Sequence, residues 1–258
     1  MRAPTALSAL RRPGPGLGPL SRRAFGTTAA RRNNNGAAAV NPRWLSELQA
    51  RIGRCAALDL GPEQRRELEA VRETVDGAWL ELVAGREGFL TGPGWRGLDR
   101  HTVTWGDQDA MYAESARVNW LRNFATAVDP AHADEWNELM TPRGIGLIMR
   151  SIRTDYKFPM AYPDNVTVLH KLASKPTYES DHILLEALLV SDRHRRPAAR
   201  CFEDIVVYDY KTARRAPLKP FMVDRLRETY EAQERGREDC EERVRGLVGV
   251  VERIERAA

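Results

Sequence analysis

The chain has 258 residues, 29% charged and 42% hydrophobic, proportions that suit one sizeable folded domain with extensions. No apolar run approaches the ~20 residues that a membrane-spanning helix needs. The net charge of +4 sits at one end: residues 1–32 hold seven Arg and no Lys, Asp or Glu. The remainder has 33 basic against 36 acidic residues, so the basicity gives no support for nucleic-acid binding.

Residues 1–40 are Arg-rich, contain Ser, Thr and Ala, and read as a mitochondrial (matrix) targeting leader, with no acidic residue before Glu47. Arg23-Ala24-Phe25-Gly26-Thr27-Thr28 is similar to an Arg-x-Phe-x-x-Thr processing site, which would put the mature start near Asn33. The alternative is a disordered basic tail, because Pro13, Pro15 and Pro19 interrupt any long amphipathic helix. Residues 41–95 are predicted to form a helical extension. Trp44, Leu45, Leu48 and Ile52 share one helical face. Pro62 suits a first helical turn ahead of Leu68, Val71, Val75 and Trp79.

Residues 101–105 alternate as a half-buried strand, and residues 113–128 form a predicted helix with Ala116, Trp120, Phe124 and Ala127 on one stripe. Four strands follow over 145–158, 165–172, 182–190 and 201–210. Turns at Pro159, Pro163, Lys175-Pro176 and Arg195-Arg196-Pro197 separate them. Residues 221–258 form a charged helix. Its seam of Cys240, Val244, Leu247, Val251 and Ile254 is too short to prove a coiled coil and suits packing on its own domain. Cys55, Cys201 and Cys240 are odd in number and widely spaced, so neither a disulfide framework nor a metal site is indicated.

Two adjacent stretches carry a family likeness. Trp105-Gly106-Asp107-Gln108-Asp109-Ala110-Met111 and Tyr112-Ala113-Glu114-Ser115-Ala116-Arg117 resemble the two halves of the signature of hotdog-fold acyl-CoA thioesterases. These form the 4-hydroxybenzoyl-CoA thioesterase-like superfamily, and the likeness is greatest to its fungal mitochondrial or secondary-metabolism members. Residues 156–168, with Pro159, Tyr162, Pro163 and Asp164, look like the family's F-x-x-P-x-x-Y-P-D arm. Residues 205–212 resemble its last strand, and Pro217-Leu218-Lys219-Pro220 the passage to a terminal helix. The resemblance implies an α+β hotdog fold over 96–220, a curved antiparallel sheet around a central helix, between the N-terminal extension and the C-terminal helix. The chain departs from the pattern at one place: the G-H-V-N-N turn expected between Met111 and Tyr112 is absent. That is a gap of about ten residues, nearly three helical turns. A skipped exon or misjoined gene model would leave such a junction, and so would a true deletion.

The implied activity is hydrolysis of acyl-CoA to free acid and CoA by a homo-oligomer, with CoA as part of the substrate and no other cofactor. Thioester hydrolysis needs a carboxylate to activate water or attack the carbonyl, and N–H donors for the oxyanion. By the resemblance, Asp109 holds the nucleophile or general-base position, while Asp107 flanks it and suits a structural role. Read from the residues alone, both could simply close a strand or cap a helix. Glu114 is a further candidate, although an intrahelical pair with Arg117 explains it equally. Arg117 and Asn119 could face solvent or a neighbouring subunit. Lys171, Lys175, Arg193, Arg195 and Arg196 are available for CoA phosphates, without an assignment. The five histidines show no metal spacing. The competing reading is a non-catalytic hotdog module that binds acyl groups or serves as a structural subunit of a mitochondrial assembly.

Overall fold

Apolar strand segments pair into one antiparallel sheet. In the computed structural model, which describes residues 43–103 and 109–257 (Asp109 and Ala110 by backbone only), the long strands are β1 (Arg96–Thr102), β2 (Ile145–Tyr156), β3 (Asn165–Leu172), β4 (His182–Ser191) and β5 (Arg196–Asp209). Their spatial order is β1-β3-β4-β5-β2, and a two-residue β6 (Arg214–Arg215) adds to β5. The chain divides into two units, Met1–Val40 and Asn41–Ala258; the first, which carries the predicted leader, lies outside the described residues.

Helix α3 (Asp109–Asn123) runs on into a π-helical turn (Phe124–Val128) and lies on the inner face of this sheet. Its Ala113 and Ala116 pack with Val166 and Val168 of β3, Ala187 and Leu189 of β4, and Ala199 and Cys201 of β5. Trp120, Leu121 and Phe124 extend that core towards Trp136, Ile205 and Val207. A helix held against one antiparallel sheet in this strand order is the hotdog arrangement, and the fold class is α+β as expected. β3 and β4 are buried on both faces, which explains their nearly unbroken apolar runs. β2, an edge strand among the described residues, is half-buried, with Ile145, Leu147 and Met149 packed against the core.

Several boundaries differ from the sequence reading. β1 starts at Arg96 rather than 101, because Arg96 and Leu98 pair with β3 through irregular register that breaks the alternation. α3 starts at Asp109 and spans the Met111–Tyr112 junction without interruption. β5 takes in Arg196 and Pro197, where a turn was expected; the turn is confined to the residues before them, with Arg195 at φ 49°. A six-residue helix, α4 (Ala133–Glu138), is too short to show periodicity in the sequence.

The outer face of the sheet is covered by the N-terminal extension. α1 (Trp44–Ala56) and α2 (Pro62–Gly77) lead into a π turn (Glu81–Gly85), and Ala84 and Phe89 pack on Leu169, Leu188 and Val190. α5 (Pro220–Ala257) spans both layers. Met222, Val223 and Leu226 join the inner core, while Cys240, Val244, Val251 and Ile254 bury against Leu45, Leu48, Ile52, Leu68, Val71 and Val75. The short a/d seam is therefore filled by the chain's own helices.

Charged groups are enclosed under the extension. Lys171 donates to the Glu87 carbonyl at 2.5 Å and lies 3.3 Å from Glu186, while Arg200 pairs with both Glu186 and Glu87. Burial drives the Lys171 ammonium from its ordinary 10.5 down to about 8. Between these values the unfolded chain holds a proton that the folded chain has released, so stability rises with pH across the window. The Lys171 contribution is complete above 10.5 and absent below about 8. Relative to Lys171→Met, the wild-type unfolding free energy should gain up to roughly 3 kcal/mol between those limits. Guanidinium titrations of both proteins at about pH 7.5 and about pH 11, either side of that window, measure it, and a pH-independent difference would refute it.

Candidate functional site

α3 gathers the sequence candidates. Asp109 is its first residue and is described by backbone only; Asp107 lies outside the described residues. The first-turn N–H groups of a helix have no intrahelical acceptors and carry partial positive charge, so they can stabilise an anion there. Glu114 is exposed, and Met111 is 64% exposed. Tyr112 is buried, edge-on to His101 with ring centroids 5.4 Å apart.

Arg117 does not pair with Glu114, nor does it face solvent. It turns inward, and its Nη1 stands 3.2 Å from Oε2 of Glu203 on β5; the Glu203 side chain has no exposed surface. Nε2 of His170 on β3, equally buried, lies 3.6 Å from the same oxygen. The two approach diagonally across β4, where His170 pairs in register with Ala187 and Glu203 with Leu185. Burial pushes the Glu203 carboxyl up, yet the attraction of His170 and Arg117 outweighs it and holds the group below its ordinary range. Neither contact is aligned as a hydrogen bond, and the Trp120 indole nitrogen, also buried, has no hydrogen-bond partner among the described residues. Strand alternation offered a signal for Glu203, because it shares the inward set of Cys201, Ile205 and Val207. A charge on an apolar face needs a partner.

Two further contacts hold α3 against β1. Asn119 Nδ2 donates to the Gly97 carbonyl at 2.8 Å, so Asn119 serves the domain itself. Gly97 has no room for a side chain: a Cβ there would stand 2.7 Å from the Ala116 Cβ and press on the helix backbone. Gly97→Ala should therefore force β1 and α3 apart and cost about 1–3 kcal/mol. Urea denaturation measures that loss, and an unchanged midpoint would show that the approach is looser than described.

Of the basic residues considered for CoA phosphates, Lys171 lies on the outer face beneath the extension, engaged with Glu186 and the Glu87 carbonyl. Lys175 pairs with Glu231 at 2.6 Å and Arg195 with Asp76 at 2.7 Å. Arg193 donates to the Pro163 carbonyl at 3.4 Å, and the Arg196 guanidinium stacks over Phe158 at 4.0 Å. A surface cavity of about 350 Å3, lined by Asp129, His132, Phe221 and Arg225 among others, shares no residue with α3 or Glu203. Among the described residues no cluster of three or more His, Cys, Asp or Glu could hold a metal ion, and no helix is long and apolar enough to cross a membrane.

The family model of the thioesterase-like superfamily matches residues 103–226. A search of curated proteins returns no match. Among solved structures, the chain is similar to a Thermus thermophilus thioesterase complexed with coenzyme A and zinc. The identity is 18% and the TM-score 0.39, covering 53% of this chain and 96% of that one. It is also similar to the DHNA-CoA thioesterase of Staphylococcus aureus at 15% identity and a TM-score of 0.38, covering 54% and 90%. The family match takes in α3, β2 to β5 and the start of α5, most of the helix-on-sheet body, which is therefore similar to the thioesterase-like superfamily.

Proposed function

We propose that this protein is an acyl-CoA thioesterase that hydrolyses R-CO-S-CoA with water to the free acid and CoA. One observation carries the reading: within the segment that matches the thioesterase-like model, Asp109 opens the helix on the sheet's inner face. In this reading the Asp109 carboxylate acts as nucleophile or general base, and N–H groups of the first turn hold the developing oxyanion. Asp107 and Glu114 have secondary roles. Coenzyme A enters as part of the substrate, and the reaction draws on no other cofactor. A homodimer is part of the proposal, and the edge of β2, unpaired among the described residues, offers a second copy a strand to pair with. Residues 1–40 serve mitochondrial import, and residues 41–95 and 221–258 flank the hotdog domain at 96–220.

The test is release of free thiol by the purified protein from short-, medium- and long-chain acyl-CoAs. It is run on the chain as written and with a G-H-V-N-N-bearing segment inserted between Met111 and Tyr112. Turnover by either protein supports the enzyme, and turnover by neither removes it. The second reading, a non-catalytic module, is favoured by the direct run of the junction through α3, without an intervening turn. Acyl-CoA binding without hydrolysis in both proteins would select it.

A further inference from the structure

We infer that Glu203 is a positioning residue, which sets the axial register of α3 on the sheet through Arg117. Its catalytic consequence rests on the thioesterase reading, but the register itself does not.

The middle of the stripe that α3 lays on the sheet is made of small residues, Ala113 and Ala116, between Tyr112 on one side and Trp120 on the other. Apolar contact is non-directional, and alanines interdigitate too shallowly to resist sliding along the helix axis. At the β1 edge the Asn119–Gly97 hydrogen bond fixes the helix; at the centre of the interface an ion pair can do so. Arg117 supplies it from the helix and Glu203 from β5, within 3.2 Å, while His170 approaches the same Glu203 oxygen from β3 at 3.6 Å. The carboxylate thus ties one helix to two non-adjacent strands.

A buried ion pair is a poor source of net stability, because desolvation offsets most of the attraction. Its best-attested use is to specify one arrangement among several of similar packing. A shift of α3 by one turn, about 5.4 Å, would strip Glu203 of its arginine inside the core. The first turn of α3, eight residues before Arg117, moves rigidly with this contact. A misplacement of about 1 Å at a reacting centre can lower a rate by about 100-fold.

The decisive variant is Arg117→Met with Glu203→Leu, which replaces the pair by apolar side chains. Circular dichroism should show it folded, with a melting temperature close to wild type. Hydrogen exchange of α3 amides 111–120 should rise by about 10-fold or more, while that of β3, β4 and β5 stays unchanged. Should the wild type prove to be a thioesterase, kcat should fall about 10- to 100-fold with KM changed less than about 3-fold. Glu203→Asp with Arg117 intact, which retains the charge, should recover part of the exchange protection. Wild-type α3 exchange in the folded double variant overturns the inference, and so does failure of both the double variant and the near-isosteric Glu203→Gln to fold, which would mark the pair as purely structural. A wild type without turnover counts against the thioesterase reading only, since the exchange result stands by itself.

Discussion

Asp109→Asn is expected to lower thioester turnover by about 10²- to 10⁴-fold while leaving the fold intact. The substitution removes a single negative charge at the first residue of α3 and keeps the size of the side chain. Asparagine also starts helices about as well as aspartate, so the helix should begin at the same place. A loss of rate would then report chemistry: an amide can neither activate water as a base nor form an acyl intermediate. The KM should change little, since the carboxylate acts on the reacting carbonyl rather than on the body of CoA. Thiol release measured alongside far-ultraviolet circular dichroism separates the two effects. Wild-type turnover in a folded Asp109→Asn protein would move the reacting carboxylate elsewhere, with Glu114 the next to replace.

Trp120→Ala should have the largest effect on stability, a loss of about 3–5 kcal/mol. Trp120 is almost completely buried where α3 passes from the small-residue stripe to the larger core. It meets Phe124 edge-on at 5.0 Å and lies 6.4 Å from the rings of both Trp95 and His170. Truncation opens a cavity between rings held by both helix and sheet, which cannot easily collapse. Domains of this size have only about 5–15 kcal/mol in total, so the variant should be close to unfolding at physiological temperature. Trp120→Phe makes the comparison sharp. The indole nitrogen has no hydrogen-bond partner among the described residues, so phenylalanine loses none and also removes an unsatisfied buried donor. Its cost should be well below that of alanine in the same urea titrations. Equal losses would mean that the indole nitrogen has a partner after all.

Much of the fold was legible because local chemistry dictated it. The apolar strand segments 165–172 and 182–190, set off by their turns, recur as β3 and β4, and the stripe of Ala116, Trp120 and Phe124 is the buried face of α3 and its π turn. Such periods depend only on backbone geometry and on which side chains avoid water. β1 was partly missed because its register irregularities break the period, and α4 because six residues cannot display one.

The candidate carboxylates were legible as a motif, since Asp107, Asp109 and Glu114 stand in a recognisable order. The supporting network was not. The helical spacing of Glu114 and Arg117 suggested a local pair, but Arg117 pairs with a residue 86 positions later. Lys171 was similarly open to a role at a phosphate until the outer face was seen to be covered.

By itself, then, the sequence determined the fold class, the succession of the principal strands along the chain and the helix that bears the candidate carboxylates, because periodicity and chain-local motifs need no knowledge of what lies opposite. Only the tertiary structure decided which charges are enclosed, that Arg117 and His170 converge on Glu203, and that the terminal helices cover one another. Those outcomes depend on strand order and register, which bring together residues far apart in the chain according to the shape of the whole sheet.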